Sequence, residues 1–105
     1  MEKIIDRIKN YIIHVTQPTK IILFGSVAEE KNNIYSDIDI LIVTEHKALH
    51  KEHLAKQIRA FIKEFSFESD IFIIDEDRFM HAKKDPFSFI SITQKTGKII
   101  YEKAG

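Results

Sequence analysis

Cysteine is absent from these 105 residues, so no disulfide framework is available to hold the fold. Also lacking are an apolar run of membrane-spanning length and a charged-then-apolar leader; neither a membrane span nor a signal peptide is read, and the cytoplasm is the expected address. An excess of either charge is missing too. Sixteen Lys+Arg offset sixteen Asp+Glu, which removes the footprint of a polyanion binder working by counterion release and makes nucleic acid an unexpected partner. No internal repeat or low-complexity tract interrupts the chain. What remains fits one domain, residues 1–105, large enough for a real core yet small enough that burial is only moderate.

The chain is organised around Ile21-Ile22-Leu23-Phe24-Gly25-Ser26 and, ten residues later, Asp37-Ile38-Asp39-Ile40-Leu41-Ile42-Val43. An apolar run ending in Gly-Ser reads as a buried strand that stops at a tight turn, where glycine allows close backbone approach and serine can cap a following helix. Free N–H groups at such a helix start suit a phosphate. In the second run, alternation across the pleat puts Asp37 and Asp39 on one face and Ile38, Ile40 and Ile42 on the other. Two adjacent carboxylates repel, and half-burying them is costly unless something neutralises them. A hard divalent cation such as Mg²⁺ does so, with water and substrate phosphate completing its shell.

The flanking segments read as follows. Ile4, Ile5, Ile8, Tyr11 and Ile12 recur at helical spacing over 2–14, and Pro18 stops that helix before a strand at 20–24. Thr44 is expected to cap a second, longer helix whose stripe is Leu49, Leu54, Ile58, Phe61, Ile62 and Phe65. His46, His50 and His53 would then share a helical face, but ligands in a line along one helix rarely converge on one ion, so they are read as a solvated or partner-facing stripe. Residues 70–74 read as a central strand buried on both faces, with Asp70, Phe72 and Ile74 sharing one of them. Asp75-Glu76-Asp77 is a helix start that turns Phe79 and Met80 inward, and these acids are read as capping rather than catalytic. Asp85-Pro86 opens a further helix that ends before Gly97, and a short strand is expected at 98–101. The alternation implies an α/β (α+β) sandwich, a small sheet with helices largely on one side.

Leu23-Phe24-Gly25-Ser26, ten intervening residues, Asp37-Ile38-Asp39, and a third carboxylate, Asp70, opening a later strand together resemble the signature of the minimal nucleotidyltransferases within the polymerase-beta-like superfamily. The resemblance covers nearly the whole chain and implies a mixed sheet flanked by helices. It implies that Asp37 and Asp39 bind two Mg²⁺ ions, that Asp70 completes one metal site and helps activate the attacking hydroxyl, and that Gly25 and Ser26 hold the β and γ phosphates of ATP. The implied reaction is transfer of AMP to an acceptor hydroxyl, with Asp37, Asp39 and Asp70 as the catalytic set. Stand-alone members of this look are often antitoxins that adenylylate a tyrosine of a partner HEPN-domain ribonuclease toxin. Phe87, Phe89 and Tyr101 suit such an interface or the core equally. Val27 and Glu29 stand where many relatives carry arginine. That departure keeps open a second reading, a nucleotide- or metal-binding module that neutralises its partner by covering it. Self-association is left open.

Overall fold

The computed structural model describes residues 2–25 and 37–104. Helix α1 (Glu2–Thr16) buries Ile8 and Ile12 one turn apart and leaves its charged positions outside. It stops where Gln17 takes a left-handed φ of 49° immediately before Pro18, and strand β1 (Pro18–Phe24) follows. Strand β2 (Ile38–Thr44) returns antiparallel to β1. Helix α2 (Lys51–Lys63) then crosses over to strand β3 (Ser69–Asp75), and such a crossover is what a parallel β2–β3 pairing requires. Helices α3 (Glu76–Ala82) and α4 (Phe89–Thr96) precede strand β4 (Lys98–Glu102), which pairs antiparallel with β1. The sheet order is β3-β2-β1-β4, a mixed sheet as expected.

The pleat sorts the apolar side chains onto two faces. Ile21, Leu23, Ile38, Ile40 and Ile42 meet Ile8 and Ile12 of α1 and Ala55, Ile58 and Ile62 of α2. Ile22, Leu41 and Val43 point the other way, against Phe79 of α3 and Ile90 of α4. The helices therefore divide between both faces instead of lying largely on one. Each isoleucine so enclosed contributes about 1.5–3 kcal/mol relative to exposure, and the two central strands supply half of them. Gly97 marks the tight turn from α4 into β4: a Cβ there would stand 2.5 Å from the Thr93 carbonyl oxygen and 2.8 Å from Ile22 Cγ2.

Four local expectations are corrected. Thr44 does not cap α2. It is still in the ladder, paired with Pro18 and Asp75, and its hydroxyl donates to the His46 carbonyl at 2.8 Å. Helix α2 starts seven residues later, after His50 in a left-handed conformation with no side-chain cap, and Leu49 is 77% exposed outside the stripe. Among the described residues strand β3 is an edge rather than a central strand, because only β2 pairs with it; Phe72 is consequently 43% exposed. Phe79 turns inward but Met80 does not. The cap of α4 is Ser88, whose Oγ accepts from Ser91 N at 3.1 Å, while Asp85 accepts from Phe87 N in a turn before it. Asp75 does cap α3, accepting from Arg78 N at 2.8 Å.

Candidate functional site

Three neighbouring strands deliver one polar corner. In β2, Asp39 stands opposite Phe24 of β1 on one side and Asp70 of β3 on the other. The alternation of β2 places Asp39 on the α3–α4 face with Leu41 and Val43, while Ile38 and Ile40 anchor the strand on the opposite face. Gly25, one residue beyond the end of β1, has φ +78°. A Cβ there would collide with Asp39 Oδ2 and lie 3.2 Å from its Cγ. Glycine is thus required both for its backbone conformation and for the room it leaves the carboxylate.

Among the described residues no ion pair relieves this corner. The Asp39 carboxyl is pushed from 3.8 to about 6, first by burial, then by the charge of Asp70, by a hydrogen bond with Asp70 and by the charge of Asp37. Two carboxylates both accept, so that hydrogen bond exists only when one proton lies between them. Asp37 and Asp70 are themselves exposed. Among the described residues no three His, Cys, Asp or Glu side chains come together as a ready-made metal cage. Mg²⁺, however, is usually held by one or two carboxylates together with substrate phosphates and water. The Asp39–Asp70 pair, hard in its donors and in no ion pair among the described residues, fits that requirement.

The sequence motif is therefore brought together at Gly25, Asp39 and Asp70, with Asp37 at the entrance of β2. Ser26, Val27 and Glu29 lie outside the described residues. The histidines do not share a helical face: His46 is in the loop after β2, His50 precedes α2, and His53 lies in its first turn. Tyr101 is half-buried against the α1–α2 core, whereas Phe87 is 86% and Phe89 49% exposed.

Sequence reasoning missed the aromatic border of this corner. Phe24, Phe72 and Phe89 form a triangle with ring centroids 6.1, 5.6 and 5.2 Å apart. The signal was present: Phe24 adjoins Gly25, and Phe72 shares a face with Asp70. Only the edge position of β3 makes it visible.

Residues 6–104 match the family model described as polymerase beta, nucleotidyltransferase. No curated protein matches. Among solved structures, a candidate nucleotidyltransferase from Sulfolobus solfataricus superposes with a TM-score of 0.58 at 19% identity, covering 96% of this chain and 79% of that one. A chain of a toxin–antitoxin complex with AMP-PNP gives 0.60 at 16% identity, covering 93% and 73%. A chain of the tri-AMPylated Shewanella oneidensis HEPN toxin in complex with MNT antitoxin gives 0.50 at 17%, covering 93% and 72%. At these identities the likeness is one of fold. Among the described residues no helix is long and apolar enough to cross a membrane.

Proposed function

The chain belongs to the polymerase beta nucleotidyltransferase family, and from that premise we propose that it transfers AMP from ATP, with Mg²⁺, to a tyrosine hydroxyl of a HEPN-type toxin and so acts as the antitoxin of the pair. The observation that carries this reading is Asp39, wedged between the Gly25 turn and Asp70 with its carboxyl pushed up to about 6. A carboxylate kept under repulsion beside a glycine that clears space for it is a poor structural element and a good cation ligand. The toxin–antitoxin neighbours, one with AMP-PNP and one with an AMPylated toxin, support the choice of nucleotide and acceptor.

Each residue has a part in this reading. Gly25 and Ser26 orient the β and γ phosphates, and Asp37, Asp39 and Asp70 are the carboxylates that would hold two Mg²⁺ ions. Bound Mg²⁺ supplies charge neutralisation on the triphosphate and a more acidic acceptor hydroxyl. The acceptor oxygen bonds to the α-phosphorus, the bridging oxygen leaves with pyrophosphate, and Asp70, exposed at the sheet edge, takes the hydroxyl proton. Positioning and electrostatics suffice without a covalent intermediate. The cytoplasm, where ATP is at hand, is the compartment this reading requires.

A second reading, neutralisation of the partner by binding alone, is favoured by Val27 and Glu29, which remove two cations from the segment after the turn. One experiment separates the two: a cognate HEPN-type toxin is incubated with ATP, Mg²⁺ and either wild type or Asp39→Asn, and its mass and ribonuclease activity are followed. Wild type adds AMP units and silences the toxin, while transfer by the variant falls on the order of a thousandfold. A variant that silences equally well with no mass change establishes the binding-only module instead.

A further inference from the structure

The outer side of β3 carries a feature the transfer reaction does not use. Ile71, Phe72 and Ile73, three consecutive strand residues, line one open groove of about 670 Å³ together with residues of α2 from Lys51 to Arg59. Side chains of consecutive strand residues alternate between faces, so a single groove touches all three only along the strand edge, where the backbone is presented. Among the described residues that edge has no partner strand.

Exposed edges are normally blunted by bulges, proline or lysine. Strand β3 has no bulge, proline or lysine, and its charges, Asp70 and Asp75, stand toward its ends: Ser69-Asp70-Ile71-Phe72-Ile73-Ile74-Asp75 runs in unbroken register with β2, whereas register shifts do interrupt the pairing of β1 with β2 and β4. The groove is also cationic in a chain of zero net charge. Lys51, Lys56 and Arg59 line it with His53, against the single acid Glu52. None of those three cations is in an ion pair among the described residues, although Lys9, Lys20, Lys63 and Arg78 are.

We propose that β3 is a docking edge for an extended, acidic segment of a partner protein, which adds to the sheet as a fifth strand with its carboxylates against Lys51, Lys56 and Arg59. Main-chain hydrogen bonds supply affinity in this mode, and side-chain pockets supply selectivity. Phe72, 43% exposed, offers the incoming strand an apolar cross-strand neighbour. A second copy fits less well: antiparallel β3–β3 pairing centred on Phe72 and Ile73 sets Asp70 against Asp75, and like charges opposite one another destabilise a sheet. The carboxylates of the added strand turn to α2 on the Ile71 and Ile73 face. Its uncharged side chains then lie on the Asp70 and Phe72 face, so the strand reaches the carboxylate corner without setting like charges opposite Asp70. The inference is read from binding and does not depend on transfer.

The test uses a fluorescent seven-residue peptide of alternating valine and glutamate, the same peptide with alternate amides N-methylated, and a version with lysine for glutamate. Fluorescence anisotropy with the full chain reads the affinity. The acidic peptide binds wild type; N-methylation or the lysine version weakens binding by at least roughly tenfold. The triple variant Lys51→Glu/Lys56→Glu/Arg59→Glu, with its fold checked by circular dichroism, weakens the acidic peptide by roughly ten- to a hundredfold and reverses the preference. No binding of the acidic peptide, equal binding after N-methylation, or equal binding by the charge-reversed chain overturns the proposal. So does displacement of the peptide by single-stranded RNA of equal charge at lower concentration, which makes the groove a nucleic-acid site. Sedimentation showing a dimer that the charge reversal abolishes overturns it in favour of a second copy.

Discussion

Asp39 and Asp75 lie toward opposite ends of the same sheet, and they are aspartates of different kinds. Asp75 is the more enclosed, 7% exposed, yet its charge is met within the chain: it accepts from Arg78 N at 2.8 Å at the start of α3, and Arg78 Nε lies 3.8 Å away. Asp39 is only half-buried, but its neighbours are Asp70, Asp37 and the space cleared by Gly25, and its carboxyl is pushed up to about 6. Burial alone does not distinguish structure from function here. What distinguishes them is whether the fold supplies the compensating donors. At Asp75 a helix start and an arginine do; at Asp39 no ion pair is made among the described residues, and the proposed function assigns the balance to a bound cation.

The sharpest way to break this contrast is at the glycine. Gly25→Ala forces a side chain into Asp39 at a positive φ, and it is expected to remove MgATP binding and to lower stability by about 1–3 kcal/mol in denaturant unfolding. Unchanged stability would mean that the turn is not held as described. Asp75→Ala removes a cap, costs about 1 kcal/mol in the same measurement, and leaves MgATP binding untouched. The contrast is sharpened further by pH dependence. The folded chain holds the Asp39 proton more tightly than the unfolded chain does, so folding gains below pH 3.8 and loses that gain as pH rises through about 6. In EDTA, thermal scans should show wild type losing stability across that window relative to Asp39→Asn. Parallel curves would show that Asp39 carries no such strain.

The candidate site was legible because its parts are local. Strand alternation gave the face of Asp39 and of its isoleucines, and the apolar run led into Gly25, while Asp37 precedes β2 and Ser26 lies outside the described residues. Asp70 was legible as the polar start of a strand, but its place beside Asp39 came from resemblance, because strand pairing is not written in any one segment. The same gap hid the edge position of β3 and with it the exposure of Phe72. Caps failed where two candidates competed: Thr44 remained in the ladder, and Asp85 made a turn three residues before Ser88 capped α4. Leu49 and His50, counted in a helical stripe, belong to the loop that leads into α2.

The central claim is that the Asp39 corner, unlike Asp75, is completed by a metal-bound nucleotide, and calorimetric titration of ATP tests it most directly. With Mg²⁺ present, wild type and Asp75→Asn should bind with affinities within about twofold of one another, while Asp39→Asn or omission of Mg²⁺ weakens binding by at least about tenfold. Equal affinity in Asp39→Asn, in Asp75→Asn and without Mg²⁺ would contradict it.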